Sequence, residues 1–151
     1  MNIEEALTLG NELLRKHQLN WEGWTLNTNR RVKTVGLCWH GRKTIEISEP
    51  YIQFNPEHLI RGTLLHEIAH ALVGPKQAHN EIWVAKALEI GAPTNRCAEV
   101  ETVLPKGRWF CICSKCGRRY ERHKRPSMVK TYRCIPCNER VIWQDARGFF
   151  R

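Results

Sequence analysis

The chain has 151 residues, enough for one ordinary domain plus a satellite too small to build its own core. Its net charge of +9 is unevenly placed: the first 104 residues hold 11 Lys and Arg against 12 Glu, net −1, and the last 47 hold 13 against 3 acidic residues, net +10. No apolar run reaches membrane-spanning length, the first residues are acidic rather than a leader, and seven cysteines, four of them in two C-x-x-C pairs, argue against a secreted disulfide framework. The expectation is a soluble cytoplasmic monomer, nuclear if eukaryotic, whose thiolates bind metal in a reducing compartment.

Ile3, Ala6, Leu7, Gly10, Leu13, Leu14 and His17 recur at helical spacing, which predicts an amphipathic packing helix over residues 2–17. Residues 24–28 read as extended. The β-prone runs 32–39 and 43–48 flank His40-Gly41-Arg42 and predict a hairpin, with clean alternation in Thr44-Ile45-Glu46-Ile47-Ser48. Cys38 and His40 beside that turn read as a buried thiol and a turn histidine. Glu49-Pro50 then ends the strand. Asn55-Pro56-Glu57 supplies an N-cap, a proline at the first helical position and an early acid, so a helix is expected from Pro56 to Val73, where Gly74-Pro75 stops it.

That helix contains His66-Glu67-Ile68-Ala69-His70. Two histidines four residues apart project from one helical face and can hold one metal, and Glu67 beside them suits the general base that acts on a metal-activated water. The apolar flanks Leu64, Leu65, Leu72 and Val73 would bury the segment, and buried imidazoles need partners. The plainer alternative is a pair of hydrogen-bonded core histidines around a solvated Glu. Two histidines leave zinc one short of the three protein ligands typical of catalytic sites. His79, past the turn and at the head of a second helix predicted over 80–90, is the candidate third, with Glu81 and Glu89 as rivals. His58 lies about 12 Å before His66 along the axis, too far to share its metal.

The tail begins at Pro105-Lys106-Gly107 and carries Cys113-x-x-Cys116 and, seventeen residues on, Cys134-x-x-Cys137, which is zinc-ribbon spacing for a structural Zn²⁺. Short strands are expected over 108–112, 118–121, 131–133 and 141–144. Cys111 stays open as a replacement for Cys113. Arg118, Arg119, Tyr120, Arg122, Lys124, Arg125, Lys130, Tyr132 and Arg133 interleave cations with rings, a composition suited to single-stranded or distorted nucleic acid held in a salt-sensitive, weakly sequence-specific way. The alternative is a cationic, merely solubilising surface.

Gly36-Leu37-Cys38, Lys43-Thr44-Ile45-Glu46-Ile47-Ser48, His66-Glu67-x-x-His70-Ala71-Leu72-Val73-Gly74, His79-Asn80-Glu81-Ile82-Trp83 and the four-cysteine ribbon together resemble the SprT-like metallopeptidases. The resemblance implies a minimal zincin fold with three histidine ligands and a catalytic glutamate, and its eukaryotic Spartan branch implies DNA-dependent proteolysis of proteins crosslinked to DNA. The reading is therefore α+β: a zincin-like metallopeptidase domain over 1–104, helices packed on a small antiparallel sheet, then a basic β zinc ribbon over 105–151. The expected function is a zinc endopeptidase using one catalytic and one structural Zn²⁺ on DNA-associated or DNA-crosslinked proteins. The rival is a non-catalytic zinc-containing DNA-binding adaptor.

Overall fold

Residues 1–94 and 102–147 are described by the computed structural model, whose contacts divide into the units Met1–Pro105 and Lys106–Arg151. Cys97 lies outside the described residues.

In the first unit a capping box starts α1 (Ile3–Lys16): the Glu5 amide donates to the Asn2 side chain and the Asn2 amide to the Glu5 carboxylate, each at 2.8 Å. Its inner face buries Ala6, Leu9, Gly10, Leu13 and Leu14. Gly10 lets the helix lie close against its neighbours, since a Cβ there would collide with Leu26 and meet Leu64 at 3.3 Å. Next come β1 (Thr25–Asn29), β2 (Gly36–Trp39), a 3₁₀ turn at His40–Arg42 and β3 (Thr44–Ser48).

The sheet has the order β1-β3-β2 and is mixed, correcting the antiparallel sheet expected from sequence. The hairpin is antiparallel, with Cys38 opposite Ile45, but β1 runs parallel to β3, with Leu26 opposite Ile45. The cause is the 30–35 connection, which crosses the end of β3 so that the chain enters β2 first and returns through the middle. Ser48 fastens that crossing, its amide donating to the Val35 carbonyl and its hydroxyl to the Arg31 carbonyl. The central strand buries Thr44, Ile45, Ile47 and Ser48.

Ser48 also caps a short helix, α2 (Glu49–Phe54), where the sequence reading has only a strand stop. Pro50 fits because the first turn of a helix needs no intrahelical N–H. The following helix, α3 (Glu57–Val73), consequently starts one residue later than expected, with Pro56 at the cap position and no side-chain cap. Asn55 turns elsewhere: its amide nitrogen donates to the carbonyls of Tyr51 and Val103, and its oxygen accepts from the Val103 amide.

Helix α3 buries Leu59, Ile60, Leu64, Leu65, Ile68, Ala69 and Ala71 around its circumference, as a helix enclosed by neighbours must. It packs against α1, β2, β3 and α4 (Glu81–Ile90). Asn80 caps α4 by accepting from the Trp83 amide at 3.1 Å, and Gly91 ends it in the left-handed conformation.

The second unit is built from β4 (Trp109–Ile112), β5 (Arg119–Arg122), β6 (Tyr132–Arg133), β7 (Arg140–Val141) and β8 (Gln144–Asp145), in sheets ordered β5-β4-β8 and β6-β7. The single strand expected over 141–144 is thus two: the chain leaves β6 at Val141 and joins β4 at Gln144. Among the described residues its buried hydrophobic cluster consists of Cys111, Cys113, Cys134 and Val141. Among the described residues no helix is long and apolar enough to cross a membrane.

Candidate metal centres and active site

Helix α3 places His66 and His70 on one face, and the chain reversal after Gly74 returns His79 to them. His79 Nε2 lies 3.0 Å from His66 Nε2 and 3.1 Å from His70 Nε2. Tetrahedral nitrogen ligands of zinc stand about 3.3 Å apart, so the spacing fits one such ion. The His66 ring is already oriented: Nδ1 lies 3.3 Å from the Pro93 carbonyl, which can only accept, so Nδ1 carries the proton and Nε2 a lone pair. Burial lowers the pKa of His66 and takes that of His70 down to about 4, keeping both in the neutral form that ligation requires.

Trp83, which sequence reasoning treats only as a family marker, forms the floor. It is fully buried, and its ring centroid lies 4.6, 5.0 and 4.5 Å from those of His66, His70 and His79. His79 itself adopts φ of 55°, a left-handed conformation uncommon outside glycine, which turns the chain directly into the Asn80 cap. The group of mutually close metal-binding side chains ends at these three; among the described residues Cys38, His40, Glu81 and Glu89 are not part of it. Glu89 pairs with Lys86 at 2.6 Å. Cys38 sits 3.7 Å from His40, and burial, aided by the charge of Glu67, pushes its thiol up to about 12.

Glu67 is 9% exposed, and burial pushes its carboxyl up to about 7. The start of β2 presses on it. A Cβ on Gly36 would stand 2.7 Å from Glu67 Oε1, 2.9 Å from Glu67 Cγ and 2.7 Å from Thr63 Cγ2. Gly36→Ala is therefore expected to displace the Glu67 carboxylate and lower kcat of any reaction using it by about tenfold or more, as misplacing a catalytic group does. Steady-state kinetics with a metal assay check this: an unchanged kcat would show that the strand simply moves aside.

In the second unit the two C-x-x-C segments fold alike. The Gly117 amide donates to the Cys113 carbonyl and the Asn138 amide to the Cys134 carbonyl, both at 2.9 Å, and Gly117 and Asn138 share a left-handed φ. Cys113 Sγ lies 3.4 Å from Cys137 Sγ, and Cys116 Sγ 3.5 Å from Cys134 Sγ, against about 3.8 Å for tetrahedral zinc thiolates. All four sulfurs lie within 4.8 Å of one another, and Cys111, buried on β4, is outside the group. The Tyr120 hydroxyl, 3.2 Å from Cys134 Sγ, is the main cause that lowers that thiol to about 6.

A family model described as the SprT-like family matches residues 4–102. The chain belongs to the SprT-like family. It is 26% identical to Protein SprT of Escherichia coli O139:H28 over 151 residues, covering 93% of this chain and 88% of that protein. Protein SprT of Salmonella arizonae is 25% identical over 149 residues with the same coverage, and that of Escherichia coli K12 is 27% identical over 128 residues, covering 78% and 76%.

In this SprT-like chain the basic and aromatic residues singled out from sequence have different surroundings. Tyr120 and Arg133 brace the cysteine knuckles, Tyr120 also accepting from the Ile135 amide and Arg133 donating to the Asn138 carbonyl. Arg119 pairs with Glu121 and lies over Phe110. Arg125, Lys130 and Tyr132 line a cavity of about 1130 Å³ together with Trp109, Met128 and Trp143. Arg122 stands 5.2 Å from the Tyr132 ring and 5.3 Å from that of Trp143, and Arg125 5.8 Å from Trp109. Arg118 and Lys124 are exposed. Sequence reasoning missed Trp109 and Trp143, whose signal was their position just outside the paired cysteines.

Proposed function

We propose that this SprT-like chain is a zinc endopeptidase of the minimal zincin type, acting on proteins associated with or crosslinked to DNA and brought there by its ribbon. The observation that carries the reading is the convergence of His66, His70 and His79 into a group of three, with Glu67 one residue along the same helix. Structural zinc sites are closed by four protein ligands, whereas catalytic ones keep a position open. That difference favours a peptidase over an adaptor in which both ions are structural.

When bound at the triad, Zn²⁺ supplies a Lewis acid that polarises the scissile carbonyl and acidifies water. His66, His70 and His79 would hold it, and the Pro93 carbonyl and the Trp83 ring fix the imidazoles that would do so. Glu67 takes the proton of the attacking water and delivers it to the leaving amine. Cys113, Cys116, Cys134 and Cys137 would hold the second, structural Zn²⁺.

The cavity of the second unit supports the nucleic-acid part of the reading, because in its wall the guanidinium groups of Arg108 and Arg125 stand by the Trp109 ring. Bases stack on such faces while cations meet phosphates, at about 1–3 kcal/mol per stacked base. Trp143→Ala is expected to weaken single-stranded DNA binding about tenfold and to leave its salt dependence in place, since no phosphate contact is removed. Fluorescence anisotropy at two salt concentrations checks this. The reading as a whole is tested by cleavage of a DNA-bound protein with and without single-stranded DNA; cleavage that ignores both DNA and Trp143 would remove the targeting role.

A further inference from the structure

The two faces of α4 are differently occupied. Its inner face sends Trp83 under the three histidines and buries Ala87. Its outer face carries Ile82, Ala85 and Leu88 at positions i, i+3 and i+6, a stripe about 9 Å long. Ile82 is 56% exposed and Leu88 66% exposed. Beside the stripe lies a shallow cavity of about 780 Å³ whose wall includes His79, the residue that completes the triad. His79 is thus shared between this surface and the triad.

We propose that the Ile82–Ala85–Leu88 groove is the subsite that sets side-chain preference, taking an aliphatic or aromatic side chain of the substrate polypeptide within about three residues of the bond cleaved. The inference rests on the peptidase reading. An extended chain advances about 3.3 Å per residue, so about three residues of a polypeptide span the stripe, which begins three positions after His79. The lining contains Glu81 and no Lys or Arg, which suits a polypeptide and opposes a phosphate backbone. In folded proteins large apolar side chains are mostly buried, so a groove that demands one selects locally unfolded segments. Substrate choice would then reside partly in the catalytic unit as well as in the address that the ribbon supplies.

The test uses the full zinc-loaded chain and peptides that differ only by Leu or Ser at single positions within three residues of the cleaved bond. Wild type is expected to favour the Leu peptide at one position by about tenfold or more in kcat/KM, the discrimination that a few methylenes provide. In the Ile82→Ser/Leu88→Ser variant that ratio falls towards one. Direct binding gives a second readout: with Glu67→Gln added to prevent cleavage, the Kd ratio of the two peptides collapses in parallel. A ratio unchanged by the double substitution overturns the groove while leaving the peptidase intact. So does a wild-type dimer that the substitutions convert to monomer without altering the ratio, which would make the stripe a contact between copies. Failure of the wild type to cleave any peptide overturns both readings.

Discussion

Glu67→Gln is expected to lower cleavage by about 10²–10⁴-fold, the usual contribution of a positioned proton-transfer group, while the chain keeps two zinc ions. The substitution preserves shape and removes only basicity. Glu67 contributes no atom to the His66–His70–His79 group, so metal content should not change. Nor should the fold suffer: the carboxyl is nearly buried, and burial already disfavours its charged form, so a neutral amide is readily accommodated. Cleavage of an unstructured protein, run beside metal analysis of the same sample, separates the possibilities. Full activity in the variant would mean that another group moves the proton, and loss of activity together with one zinc would mean a damaged triad instead.

How much of this site the residues announce depends on how local each constraint is. His66 and His70 are legible because helical periodicity alone puts positions four apart on one face, and the apolar flanks make a bare imidazole pair costly. His79 is legible as chemistry but not as geometry. Its left-handed φ and the Asn80 cap that follows return the ring to His66 and His70, and no pattern in Ala78-His79-Asn80-Glu81 specifies that turn. Trp83 shows the same limit from the other side. It belongs to the hydrophobic core, yet its ring also packs against all three histidines, a contact that no helical spacing marks.

The sheet failed for a related reason. The β2–β3 hairpin follows from alternation and a turn, but the parallel pairing of β1 with β3 depends on where a six-residue connection crosses. Ser48 decides it through hydrogen bonds to Val35 and Arg31, contacts between residues that no short-range pattern links. The same Ser48 caps α2, so one residue both closes the sheet and starts the helix that leads to α3. Gly36 then acquires its meaning from the third dimension: it is small because Glu67 is there.

Cys134→Ser is expected to release the second zinc and unfold the Lys106–Arg151 unit while Met1–Pro105 keeps its structure. Structural zinc contributes about 10–16 kcal/mol of apparent binding free energy in comparable small sites, and that free energy is folding free energy. Against it stand a buried core of three cysteines and Val141 and strands of two to four residues, too little apolar surface to order a unit of this size. The first unit has its own core around α3, whose buried residues among those described all lie between Ala6 and Ala92. Hydrogen exchange should therefore show lost protection in β4 to β8 with protection retained in α1 and α3, and metal analysis one zinc per chain. On the nucleic-acid reading, single-stranded DNA affinity should fall with the unit, because Trp109 and Tyr132 lie on paired strands and Trp143 between β7 and β8, so their common cavity is lost when the strands part. Retained protection in β4 and β5 without the zinc would show that hairpin packing alone holds the ribbon. Loss of protection in α3 as well would show that the two units fold as one.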